Sequence, residues 1–238
     1  MHQSELKLAD VLPESLPKRD ASVWLTAIHE AGHAVVAVYY KLPIIEACVQ
    51  DDKNGFVLLD QAQIEPLLYT ASGTRSVCAQ AVMSYAGFAA THRLKPGVAR
   101  RWQSGVADWE TTGLWLWWLW DNVLSKRWPA RNHGPMTDAQ IEQNLARRAR
   151  RLFLIARRLV RGLFPVIQIL ARALFERRCL TGAEVVALAG PLIAKLRPDL
   201  VARPAGGHDD YDFRIHPYAA SMPQPETYEA LGLRAGGV

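Results

Sequence analysis

The stretch Thr26-Ala-Ile-His29-Glu30-Ala-Gly-His33-Ala-Val-Val-Ala-Val38 decides how the rest of the chain is interpreted. It contains His-Glu-x-x-His within an apolar run and no helix breaker except Gly32, so it predicts a buried helix. Residues four apart lie on one helix face, so His29 and His33 can bind one metal ion together. Glu30 is offset enough to reach a water on that ion. Two imidazoles, a third ligand from elsewhere and an open fourth position are typical of a zinc hydrolase.

Two short strands are predicted directly after this helix, which we expect to end near Tyr40, before Lys41-Leu42-Pro43. The segments 44–49 and 55–59 are rich in β-branched and aromatic residues, and Asn54-Gly55 favours a turn between them. One strand could form a sheet edge beside the metal helix. Because an exposed edge can hold an extended peptide by main-chain hydrogen bonds, we predict substrate binding at Phe56, Val57, Leu58 and Leu59.

The third metal ligand must come from outside the motif, since a catalytic zinc needs three protein ligands. Our candidate is Asp108, which lies in the polar segment Ser104-Gly-Val-Ala-Asp108 just before a strongly apolar stretch. The helix dipole also favours a carboxylate at a helix start, so a cap or first-turn acid is the alternative interpretation of Asp108. Glu110 and His92 are the fallback ligands.

Helical spacing of apolar residues dominates the remainder of the chain. The run Leu114–Trp120 is interpreted as a buried helix segment, with an exposed interface or membrane-surface patch as the alternative. Residues 61–72 are ambiguous, and Pro165 is expected to break or kink a long helix. Predicted helices cover about 74–93, 104–124, 137–164, 166–178 and 182–196. The fold class is therefore mainly α (α+β).

Composition allows one sizeable core, because the 238 residues are 50% hydrophobic and 21% charged. We divide the chain into a lead-in (1–21), one folded domain (22–197) and a Pro/Gly-rich extended or disordered tail (198–238). No apolar run reaches the roughly 18 to 20 residues that span a bilayer, so no transmembrane segment is expected.

The formal net charge of +5 is unevenly distributed. Residues 147–178 contain ten arginines and one acid, Glu176, so the remainder of the chain is net acidic. A general argument from basic charge to nucleic acid therefore fails, and we do not expect nucleic acid as a partner. We interpret the arginines as a solvated helix face or a contact for an acidic neighbouring subunit. The alternative, recruitment to nucleic acid, would give an affinity that falls steeply with salt.

The three cysteines, Cys48, Cys78 and Cys179, are widely spaced and form no Cys-x-x-Cys pair. We therefore predict free thiols in a reducing compartment. The N-terminus lacks the basic-then-apolar pattern of a secretion signal. Together these features favour a cytoplasmic location.

Four segments resemble the FtsH-type zinc peptidase family, the protease half of the ATP-dependent membrane proteases. They are His29-Glu-Ala-Gly-His-Ala34, Ala86-Gly-Phe-Ala-Ala90, Gly105-Val-Ala-Asp108-Trp and Ala171-Arg-Ala-Leu-Phe-Glu-Arg-Arg-Cys-Leu-Thr-Gly-Ala-Glu184. The resemblance spans roughly residues 22–195 and implies a zincin-like helical domain with a small β-hairpin or edge-strand sheet beside the metal helix. It implies that His29, His33 and Asp108 bind Zn²⁺, and that Glu30 is the catalytic base.

The chain departs from the family pattern at several points. Thr91-His92 stands where the family usually has acidic residues, and the Gly-to-Asp spacing is about one residue shorter. No Gly-x-x-x-x-Gly-Lys-Ser/Thr motif for an ATPase module occurs. We therefore expect a stand-alone peptidase domain whose clients are unfolded or are delivered by a separate ATPase, unfoldase or adaptor. Because family members form rings, a homo-oligomer is also expected.

The function predicted from these residues is a zinc-dependent metalloendopeptidase acting on protein or peptide substrates. A catalytically inactive or regulatory zinc-binding helical module is the alternative from a different class. The two differ in one observable, because only the first predicts proteolysis of an unfolded protein.

Overall fold

The computed structural model of the chain describes residues 18–68, 73–94, 104–125 and 136–200. The predicted lead-in up to residue 17 and the predicted tail from residue 201 onward lie outside these ranges. The fold is therefore described from the helices and strands between residues 18 and 200.

The metal-motif helix, α1 (Lys18–Tyr40), lies at the centre of the core. Every side chain from Thr26 to Ala37 is buried, which confirms the prediction that its apolar flanks bury the helix. The helix ends where Lys41 adopts a positive φ of 59° and the Leu42 N–H donates to the carbonyl of Ala37 at 2.9 Å. Because α1 is buried on all sides, its two histidines and its glutamate are held among packed neighbours.

A three-stranded antiparallel sheet lies against α1, with β1 (Ile44–Val49) between β2 (Gly55–Leu59) and β3 (Cys179–Thr181). The predicted hairpin is confirmed with its predicted limits. Asp51 closes its turn, because its carboxylate accepts from the backbone N–H groups of Lys53 and Asn54, each at 2.7 Å. In this sheet β2 is an edge strand.

The prediction that all three cysteines are free thiols is wrong for two of them. Cys48 on β1 and Cys179 on β3 form a disulfide, while Cys78 is free. The two residues face each other in the strand register although 131 positions separate them in sequence. The expectation failed because β3 is only three residues long, too short to show a strand period. The cysteines therefore no longer support the inference of a reducing compartment.

The remaining described helices surround α1. They are α2 (Gln61–Leu68), α3 (Gly73–Leu94), α4 (Ser104–Leu119) with a π-helical continuation at Trp120–Leu124, α5 (Asp138–Arg177) and α6 (Gly182–Leu200). α3 and α5 pack against α1 and against each other, and α4 packs on α3. Trp115, Trp117 and Trp118 are buried, which confirms the interpretation of the tryptophan run as core.

Of the break or kink expected at Pro165, the break is wrong, since the 40-residue helix α5 continues through this position. Pro165 lies on the exposed face, and its apolar neighbours Phe164 and Val166 are buried. Packing on both sides of the proline therefore holds the helix together although one backbone donor is missing. The predicted apolar stripe of this helix is confirmed, with Leu152, Phe153, Ala156, Leu159, Val160 and Leu163 all buried.

The described part of the chain confirms the predicted fold class, a mainly helical α+β domain with a small sheet. Among the helices in the described ranges, none has the length and apolarity that crossing a bilayer requires.

Candidate metal centre

Three side chains from two helices meet at one point in the core. His29 and His33 come from successive turns of α1, and Asp108 comes from the second turn of α4. The Nε2 atoms of the histidines are 3.0 Å apart, and they lie 2.9 and 3.3 Å from Oδ2 of Asp108. Metal–ligand distances in such sites are about 2.0 to 2.2 Å. For ligand–metal–ligand angles between 90° and the tetrahedral angle, these distances place the donor atoms about 2.8 to 3.6 Å from one another. These separations fit a metal ion.

The tautomer of His33 is fixed by the main chain of α3. Its Nδ1 lies 2.7 Å from the carbonyl oxygen of Met83, which can only accept a hydrogen bond. In the neutral ring the proton is therefore on Nδ1, and Nε2 presents a lone pair to the centre. Such a bond on the second ring nitrogen is the usual support of a metal-binding histidine.

The tautomer of His29 is supported by Thr91, also on α3. The Thr91 hydroxyl donates to the carbonyl of Gly87 at 3.0 Å, which leaves its oxygen free to accept from Nδ1 of His29 at 3.4 Å. Nε2 of His29 then also presents a lone pair to the centre.

The electrostatics of the centre favour a bound cation. Oδ2 of Asp108 is buried and has no hydrogen-bond partner within the described ranges, although both imidazoles lie beside it. Burial raises the pKa of Asp108, but the two histidines, His33 first, hold it well below its usual range. Burial lowers the pKa of His33, yet Asp108 raises it to about 9. These shifts show that a positive charge is strongly favoured at this point, and a metal ion bound by the two Nε2 lone pairs and the carboxylate oxygen would supply it in place of a proton on His33.

Glu30 lies beside the three converging atoms without joining them. It is buried, and burial raises its pKa although His29 and His33 oppose that effect. Its carboxylate packs against the backbone of Gly55, the first residue of β2, where a Cβ atom would come within 2.8 Å of three Glu30 atoms. Gly55 thus lets the edge strand approach the carboxylate closely.

Two glycines allow α1 and α3 to meet at the centre. A Cβ on Gly32 would lie 2.8 Å from the carbonyl oxygen of Ala86, and one on Gly87 would lie under 3.0 Å from ring atoms of both histidines. The segment 86–90 stood out in the sequence by its family resemblance, but no pattern in it connects Gly87 to the imidazoles.

If the three side chains bind a metal, substituting Gly87 with alanine is expected to weaken the binding of added Zn²⁺ about 10- to 100-fold, because the added methyl displaces both rings from their supporting partners. The measurement is a zinc titration against a competing chelator. Gly190→Ala is the matched control, since its Cβ would meet nothing closer than 3.8 Å. Equal zinc affinity in the two variants would contradict this role for Gly87.

The other predicted site residues lie apart from the three ligand candidates. Within the described ranges, the cluster with metal-binding spacing contains His29, His33 and Asp108 and neither fallback ligand. His92 stacks on Phe88, with ring centroids 6.0 Å apart, and Glu110 is exposed. Asp108 is not a cap, because α4 begins at Ser104.

The predicted substrate segment forms most of the edge strand β2. Phe56 and Val57 are half-buried, and Leu58 is 43% exposed. Leu59 is buried and pairs with Ile44 on β1, so its side chain belongs to the core.

A scan against protein-family models and a search of curated proteins found no match to the chain.

Proposed function

We propose that this chain is a zinc-dependent metalloendopeptidase that hydrolyses peptide bonds in unfolded or delivered protein substrates. The observation that carries the proposal is the convergence of two imidazole Nε2 atoms and one carboxylate oxygen within 3.3 Å, with Glu30 buried beside them. Two histidines and one carboxylate, with a further position open, form a usual catalytic zinc site. The resemblance to FtsH-type peptidases supports the same assignment.

The chemistry divides between the ion and the residues of this chain. A bound zinc ion supplies Lewis acidity, which activates water and polarises a carbonyl group. Glu30 accepts a proton on a carboxylate oxygen and later donates it to the leaving amine. Its buried position and raised pKa suit a group that must hold a proton between these two steps. Thr91 and the Met83 carbonyl keep both imidazoles in the binding tautomer.

Substrate alignment is assigned to β2. A strand at a sheet edge offers its outward N–H and C=O groups to an extended peptide, and the start of β2 touches Glu30. An extended conformation is most readily available in unfolded segments of a polypeptide. Unfolded segments, or clients delivered by a separate unfoldase or adaptor, are therefore the expected substrates, and self-association into a ring would be compatible with this role.

The same set of two histidines and one carboxylate also occurs in iron(II) oxygenases. Glu30 favours hydrolysis instead, because it follows His29 directly on α1 and provides a base that oxygen chemistry does not need. The identity of the metal separates the two classes.

The purified chain is expected to cleave casein, an unstructured protein, and to leave a stable folded protein intact. Removing the metal with 1,10-phenanthroline should stop cleavage, and added Zn²⁺ should restore it. Product fragments resolved by mass spectrometry provide the measurement. Casein left intact by the zinc-loaded chain would reject the peptidase and favour the regulatory module, which binds zinc without proteolysis.

A further inference from the structure

A second concave site lies between α3 and α5, and it shares no residue with the metal centre. It encloses about 180 Å³ and is lined by Ala89, His92, Arg93, Arg157, Val160 and Arg161. Drug-sized ligands occupy pockets of roughly 300 to 1,000 Å³. The smaller volume here fits a compact ligand.

Three guanidinium groups from two helices line this pocket, and none of the six lining residues is acidic. The helices that form its walls supply no acid nearby. α3 contains no aspartate or glutamate along its length, and α5 contains none between Glu142 and Glu176. Like charges are therefore concentrated here without an acidic residue on the pocket wall, a pattern that favours an anionic ligand.

Aromatic rings position two of the arginines. The guanidinium carbon of Arg93 on α3 lies 4.8 Å from the ring centre of Phe164 on α5, and that of Arg157 lies 5.9 Å from Phe153. Stacking of this kind fixes the plane of a guanidinium and directs its N–H groups along that plane. Burial, followed by the charge of Arg161, lowers the pKa of both Arg93 and Arg157, so the groups lie close enough to repel one another.

We propose that this pocket binds a small phosphate-bearing anion through Arg93, Arg157 and Arg161. Guanidinium groups donate paired N–H bonds to tetrahedral oxyanions, and a phosphate dianion would also relieve their mutual repulsion. His92 borders the same space and stacks on Phe88. The ligand class is the phosphoryl group, whether free or carried on a small monoester.

Isothermal titration of the zinc-loaded full chain with inorganic phosphate and with AMP tests this assignment. The variant Arg161→Gln removes one guanidinium group from the pocket wall. The matched control is Arg150→Gln, which removes an exposed guanidinium of the same helix outside the pocket. We expect Arg161→Gln to bind phosphate about tenfold more weakly, as for the loss of one charge-assisted contact. Arg150→Gln should retain the affinity of the parent chain.

Neither substitution lies at the metal centre, so phosphate bound to the metal would be unaffected by both. The comparison of the two variants therefore separates phosphate binding in the pocket from phosphate binding at the metal. AMP binding more tightly than phosphate, and losing affinity in Arg161→Gln, would identify a monoester as the natural source. Equal losses in both variants would overturn the proposal in favour of a diffuse charge effect. The proposal would also be overturned if chloride at matched ionic strength gave the same binding signal as phosphate. Binding of single-stranded RNA without binding of phosphate would overturn it as well. Unchanged melting temperatures of the variants establish that both remain folded.

Discussion

Replacing Glu30 with glutamine is expected to lower the rate of casein cleavage by about 10²- to 10⁴-fold, the usual contribution of a general acid–base group. Glutamine has nearly the same shape, so it fits the space against Gly55 that the carboxylate occupies. It cannot accept the proton, however. Because Glu30 lies beside the ligand atoms and is not one of them, zinc should remain at one ion per chain.

The matched control for this substitution is Glu110→Gln. Glu110 lies two residues after Asp108 on α4 and is exposed, so the change removes a nearby carboxylate without reaching the centre. Cleavage rate and zinc content are measured together for both variants. A Glu30→Gln protein that cleaves casein as fast as the parent would rule out the assigned base.

Substitution of Asp108 with asparagine is expected to reduce zinc affinity by about two orders of magnitude. Structural zinc sites gain about 10 to 16 kcal/mol from four ligands, so one ligand contributes on the order of 3 kcal/mol. At a free zinc concentration about 1,000 times the parent dissociation constant, the parent is stabilised by about 4.1 kcal/mol and the variant by about 1.4 kcal/mol. Chemical unfolding with and without zinc measures this difference.

Asp121→Asn is the corresponding control, because Asp121 follows on the same helical segment and lies outside the metal cluster. Its zinc-dependent stabilisation should equal that of the parent chain. If Asp108→Asn retained the full stabilisation, Asp108 would not be the third ligand.

The candidate site could be predicted from sequence to the extent that it is local. His29, Glu30 and His33 lie within five residues of one helix, and the 3.6-residue period alone places the two rings on one face. Asp108 is 75 positions beyond His33, and no periodicity connects them. It was selected over Glu110 and His92 by its place in a polar segment before an apolar stretch, and the resemblance to a known family favoured the same residue.

The supporting contacts could not be predicted, because each depends on how α3 packs against α1. The Met83 partner is a backbone carbonyl, which every residue possesses, so the sequence carries no signal for it. Thr91 appeared as a departure from the family pattern, yet its hydroxyl contacts His29. Gly87 lies four residues before Thr91, so the two residues share one face of the helix. This spacing was the one signal in the sequence for a close approach of α3 to the imidazole rings.

The fold shows the same division between local and distant contacts. The hairpin 44–59 is local, and the structure has it as predicted. The pairing of β1 with β3 joins segments 131 residues apart, so the Cys48–Cys179 bond could not be inferred from spacing. Continuation of α5 through Pro165 depends on buried neighbours on both sides, which a propensity argument does not include.

The most direct measurement is the X-ray absorption spectrum of the metal-loaded chain, combined with its metal content. The account predicts one zinc ion per chain with two imidazole nitrogens and one carboxylate oxygen at about 2.0 to 2.2 Å, together with one further light-atom ligand. The His33→Ala protein should lose this spectrum. Iron in place of zinc, sulfur among the ligands, or an unchanged spectrum in His33→Ala would contradict it.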